Sequence, residues 1–171
     1  MDTEIKNTFL ERLQVIARDR GNRAALRCYW SPATRYKAYP VLGRLYALED
    51  NRKEILAALY AEHAKPETAN VHVPGQSVGK AALRLGDREN DRHPYDLHFR
   101  RLLASDSFRD LSQQLHRLVK RLERESIGLD YERLWKDLNF WTNYSENVKH
   151  QWAADFWQSP IPPKNQEGPE T

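Results

Sequence analysis

One cysteine, Cys28, in 171 residues excludes an intramolecular disulfide and any cysteine-built metal cluster, and it fits a reducing cytoplasm. No apolar run approaches the roughly 18 residues that a membrane span needs. The opening MDTEIKNTFLERL is polar and acidic where a signal peptide is basic and then apolar. A soluble cytoplasmic protein without membrane contact is expected. Catalytic signatures are missing too. In GQSVGKA, residues 75–81, Gly75 and Gly79 stand one residue too close for a phosphate-cradling P-loop, and Ala81 replaces the hydroxyl that would hold Mg²⁺. The six histidines are scattered, and the nearest pair, His93 and His98, lacks the i, i+4 spacing of a helical zinc site. Cys28 has arginine neighbours but no His or Asn in its motif to complete a nucleophile, and reads as a small packed residue. Asp106 and Asp110 lie one turn apart, where capping and the helix dipole already account for acidic side chains. No catalytic residue, metal site or cofactor is expected.

The remaining pattern is helical. Strand pairs and internal repeats do not show, and apolar residues recur at the 3.6 period. Helix one is expected over 3–19, ending before Gly21. A short helix follows over 22–30, stopped at Ser31-Pro32 because a residue before proline leaves the helical region. Amphipathic helices follow at 36–48 and 51–64. KPETANVHVPGQS then reads as a connecting loop, 65–76, between two small bundles, 1–65 and 76–157. The second bundle takes helices near 76–86, 94–104, 106–126, 130–141 and 144–157, with Asp106 and Asp130 as candidate N-caps. The aromatic positions Trp135, Leu138, Trp141 and Val148, Trp152, Phe156 keep helical spacing and read as core. Residues 158–171, rich in proline and polar side chains, are expected to be a disordered tail. The fold class is all-α, two helical bundles with about eight or nine helices.

Charge carries the functional signal. The net charge is +3, with 18 arginines against 9 lysines, a bias toward forked phosphate contacts. In 106–126, Phe108, Leu111, Leu115, Leu118, Val119 and Leu122 share one side, while Arg117, Lys120, Arg121 and Arg124 fall within about 100° of the other. Glu123 and Glu125 project to the flanks and leave that stripe basic. A second row is Arg20, Arg23 and Arg27, provided the short helix extends back through Gly21. A third is Lys80, Arg84 and Arg88, followed by Arg100 and Arg101. One row alone is ordinary solvent decoration; several favour a track for phosphate, with contacts that position a strand without reading its bases.

The order of motifs resembles the CasB family, the small subunit of the type I-E CRISPR surveillance complex Cascade. The matching stretches are DRGNRAALR (19–27), GQSVGKAALRLG (75–86), HFRRLLASDS (98–107), QLHRLV (114–119), LDYERLWKDLNFW (129–141) and WAADFW (152–157). The resemblance implies an all-helical, non-catalytic subunit present in two copies, packed against the backbone and large subunits. It would hold guide RNA (crRNA) with target DNA and stabilise the displaced non-target strand. By motif position it carries nucleic-acid binding to Arg23, Arg27, Lys80, Arg100, Arg101 and Arg117. Cys28, His98 and His116 stand where that family often has arginine. Two rival readings are a structural adaptor without nucleic-acid contact and a small helical DNA-binding regulator; an enzyme using Asp106 is more remote.

Overall fold

The computed structural model describes residues 2–65, 71–86 and 92–160, with side chains from Phe9 onward. The fold is all-α, as the periodicity requires. Its helices are α1 (Asp2–Ile16), α2 (Arg20–Arg27), α3 (Tyr39–Arg44), α4 (Asn51–His63), α5 (Val78–Leu83), α6 (Asp96–Leu103), α7 (Phe108–Arg124) and α8 (Tyr131–Trp157). Two 3-10 turns, Cys28–Trp30 and Arg35–Ala38, lie between α2 and α3.

Local chemistry sets the boundaries. Asp19 caps α2 by accepting from the Asn22 amide at 2.8 Å, so α2 starts at Arg20 and Gly21 lies inside it. The expected helix at 36–48 shrinks to the six residues of α3. Pro40 in its first turn has no amide to donate, and Tyr46 takes a left-handed φ of 55° just past its end. α7 is capped by Ser107, whose Oγ accepts from the Asp110 amide at 3.1 Å, and not by Asp106. Asp130 does cap α8, accepting from the Arg133 amide at 2.9 Å. The two helices expected at 130–141 and 144–157 are present as the two arms of α8, meeting at a kink where Tyr144 leaves helical geometry at φ −135°, ψ 38°.

α8 is the spine. Against it pack α5, α4 and α1, while α7 lies across α4, α5 and α6. Leu111, Leu115, Leu118, Val119 and Leu122 of α7 are fully buried, each contributing on the order of 2 kcal/mol. Trp135, Leu138, Trp141, Val148, Trp152 and Phe156 are buried core, as their spacing predicts. The buried side chains before and after the expected boundary at 65–76 belong to one cluster.

The described part of that loop is laced to the turn between α7 and α8. His72 bridges Leu129 in parallel, the Val73 amide donates to the Leu129 carbonyl at 3.0 Å, and the Leu129 amide donates to the Val71 carbonyl at 2.9 Å. His63 closes the same junction. Its Nε2 lies 2.6 Å from the Ile127 carbonyl, which can only accept, so Nδ1 takes the Tyr131 hydroxyl proton at 2.8 Å.

GQSVGKA is explained by this packing. Gly75 supplies a left-handed turn, φ 83°, and its amide donates to Asp130 at 2.7 Å. Ser77 caps α5 and donates to Asp155 of α8 at 2.7 Å. Gly79 lets the two helices touch: a Cβ there would stand 2.3 Å from the Trp152 carbonyl oxygen. Gly79→Ala should therefore cost about 1–3 kcal/mol, read as a lower urea midpoint at unchanged m-value. An unchanged midpoint would mean that α5 and α8 do not meet so closely.

Candidate nucleic-acid interface

The basic stripe of α7 faces water. Arg117, Lys120, Arg121 and Arg124 are all exposed, and no described carboxylate lies within ion-pairing distance of any of them. Burial of the leucine face fixes this orientation, because the two sets occupy opposite sides of one helix.

Arg27, at the end of α2, extends the stripe. Arg27 and Lys120 both act on Glu62 of α4, which also meets His116 of α7, with His116 Nε2 3.4 Å from Glu62 Oε2. The His116 ring lowers the Glu62 pKa, burial opposes it, and the two cations add to the lowering. Trp30 stacks on the His116 ring, the two centroids 4.0 Å apart and the planes nearly parallel at 9°. Further along, Arg117 and Arg121 lie close enough to Tyr95, just before α6, to act on its hydroxyl. Basic side chains of α2 and α7 thus approach Glu62 together, and two of α7 approach Tyr95. Sequence reasoning missed Glu62, His116 and Trp30 as a unit, because the contact joins three elements distant in the chain.

Arg23 does not belong to this basic group. It is only 3% exposed, and Nη1 donates to the carbonyls of Ala17 and Arg18 at 2.7 and 2.9 Å. With Asn22 Nδ2 donating to Ile16 O at 3.1 Å, it satisfies the carbonyls left open at the end of α1. Arg20, on the same helix, is exposed.

Lys80, Arg84 and Arg100 lie near the far end of α8. Lys80 and Arg84 are exposed and line a groove of about 450 Å³ with Val73, Gln76, Ser159 and Pro160. Arg100 is tied to its own chain. Its Nε lies 2.6 Å from Asp96, and its guanidinium sits 5.4 Å from the Trp157 ring, whose Nε1 donates to Asp96 at 3.0 Å. Arg101 is exposed. Arg88 lies outside the described residues. His93 spends both ring nitrogens on backbone groups of Leu83, Gly86 and Tyr95, which leaves neither for a metal shared with His98. No group of three potential metal ligands occurs among the described residues, and none of their helices is long and apolar enough to cross a membrane.

Fold and surface together define an all-helical protein with a cationic helix face that no described carboxylate pairs. The family described as CRISPR-associated protein Cse2 matches residues 22–157. The chain belongs to that family, also called CasB, the small subunit of the type I-E CRISPR complex Cascade. Among solved structures it is similar to CasB from Thermobifida fusca, with a TM-score of 0.71 and 21% identity over 90% of this chain and 97% of that one. A Cse2-family protein from Thermus thermophilus gives 0.69 and 22% over 90% and 98%, and M. ruber CasB gives 0.68 and 19% over 90% and 92%. No curated protein sequence matches the chain.

Two outcomes check this geometry. Arg23→Ala should cost about 1.5–3 kcal/mol, the value of buried bonds from a charged donor, whereas Arg20→Ala should stay within about 0.5 kcal/mol in the same denaturation assay. Equal effects would contradict the capping role. Because the Glu62 pKa is lowered on folding, its contribution is present above the ordinary carboxylate range and is lost as pH falls through the lowered value. The stability gap between wild type and Glu62→Gln should therefore close on acidification; a gap independent of pH would contradict the assignment.

Proposed function

We propose that this chain is a non-catalytic Cascade subunit that grips sugar-phosphate. It would help hold crRNA with target DNA and steady the displaced non-target strand, in two copies set against the backbone and large subunits in the cytoplasm, as part of antiviral defence. The observation that carries this reading is the α7 stripe: four exposed cations without a carboxylate partner among the described residues, continued by Arg27. Lys80, Arg84 and Arg101 add exposed charge elsewhere, and family membership supplies the setting.

The chemistry is electrostatic. Guanidinium groups make charge-assisted, bidentate contacts with phosphate and release condensed counterions on binding. Replacing a DNA duplex by an RNA–DNA heteroduplex is nearly balanced in free energy, so a few kcal/mol from protein contacts can decide whether the opened state persists. Sequence is read by base pairing, and this subunit has no need to read it.

The triple reversal Arg117→Glu, Arg121→Glu, Arg124→Glu tests the reading, since all three side chains lie outside the core. Assembly of Cascade should survive. Binding of the opened strands should weaken, and the plot of log K against log salt should become shallower by roughly 2–3. Lost assembly with unchanged strand affinity would instead identify α7 as a docking face for a neighbouring subunit.

A further inference from the structure

The segment 20–48 contains five arginines and one lysine, and no aspartate or glutamate at all. Three of its four large exposed hydrophobic residues are tyrosines: Tyr36 at 61%, Tyr39 at 45% and Tyr46 at 78% exposure. We propose that these rings and the cations around them form a second site, a platform on which bases of single-stranded nucleic acid stack.

The local structure sets the rings out for such a ligand. Tyr36 lies in the 3-10 turn Arg35–Ala38 and Tyr39 follows it directly. Side chains three apart in that geometry eclipse, so the two tyrosines share a face. Tyr46 stands beyond the other end of α3, about 9 Å of helix away. Cations accompany each end. Lys37 is exposed between the first two tyrosines, and the Arg12 guanidinium of α1 lies 5.9 Å from the Tyr46 ring centroid. Arg44 donates to Asn22 at 2.7 Å, a neutral partner that fixes its position without cancelling its charge. No described carboxylate pairs with Arg12, Lys37 or Arg44.

Tyr46 is the most telling member. Its φ of 55° is a conformation that costs a side-chain-bearing residue free energy and that glycine adopts freely. Its ring is then left in water, where it returns almost nothing to the core. The left-handed turn itself is the stop of α3, closed by the Tyr46 and Ala47 amides donating to the Gly43 and Leu42 carbonyls at 3.1 and 3.0 Å; glycine would make that stop at less cost, so what the tyrosine adds there is its exposed ring. A base offers the matching chemistry: a π-face for each ring and a phosphate for each cation. A protein partner would call for an apolar centre depleted in charge, whereas Lys37, Arg44 and Arg12 stand among these rings and the acids begin only at Glu49, past Leu48.

This inference rests on the reading that strands run along the protein, and adds contact with bases. The test compares binding of the full chain to a short oligothymidylate and to an abasic oligonucleotide with the same number of phosphates. Wild type should prefer the base-bearing strand by about tenfold or more. Tyr36→Ala combined with Tyr46→Gly should bring that preference close to unity while leaving the salt dependence intact. Tyr46→Gly suits the left-handed position, so its thermal midpoint should hold or rise, which separates the effect from misfolding. Equal wild-type affinity for both strands, with salt-dependent binding retained, would overturn the platform and leave the backbone reading standing. Failure of both strands to bind at low salt would overturn both. A tyrosine variant that keeps its base preference but no longer joins Cascade would overturn the platform too and assign the face to a protein.

Discussion

A guanidinium taken out of water without acceptors loses more free energy than any single packing contact returns, and this constraint organises the molecule. Along α7 it separates two populations. The leucines at 111, 115, 118 and 122 close onto α4 and the rest of the core, which leaves Arg117, Lys120, Arg121 and Arg124 no direction but outward. Arg23, which is buried, has carbonyl acceptors waiting at the end of α1. Two other buried polar groups obey the same rule: His63 is held by Tyr131 and Ile127, and Asp137 accepts from Trp152 at 2.8 Å. The cationic face and the core of α7 are thus two results of one pattern. A substitution that disturbed the leucine face would turn the arginines as well.

The fold was legible wherever one helix carries its own instructions. The periodicity of α7 and α8 is local, and each buries the residues that its spacing marks; α4, expected to be amphipathic, is instead buried on every side from Ile55 to Ala61, because α2, α7 and α8 all pack on it. What local reasoning could not see were events decided by partners far along the chain. Ser107 caps α7 in place of Asp106, although both are good capping residues, and only the backbone path chooses between them. The lacing of Val71, Val73 and Gln76 onto Gly128, Leu129 and Asp130 depends on contacts more than fifty residues apart. The kink at Tyr144, by contrast, falls where the two apolar periods at 130–141 and 144–157 meet, and was legible in the letters.

The interface divides in the same way. The α7 stripe was readable because its burial partner and its charges lie on one helix. Arg23 was misplaced because its wheel position says nothing about carbonyls presented by the preceding turn, and the pairing of Arg100 with Asp96 sits within one turn yet needs Trp157 to complete it. Of the three expected rows, parts of two, Arg27 and the α7 stripe, meet around Glu62. Lys80 and Arg84 gather instead near the end of α8. The acid-free run from 20 to 48 was visible in the letters, but the exposure of its tyrosines and the left-handed backbone of Tyr46 were not.

The most direct measurement is a structure of the assembled Cascade complex with guide RNA and opened target DNA, at a resolution that places phosphates. The account requires phosphate oxygens within hydrogen-bonding distance of several of Arg27, Arg117, Lys120, Arg121 and Arg124. A complex in which these side chains meet carboxylates of neighbouring subunits, or bulk water, while the strands pass elsewhere would contradict it.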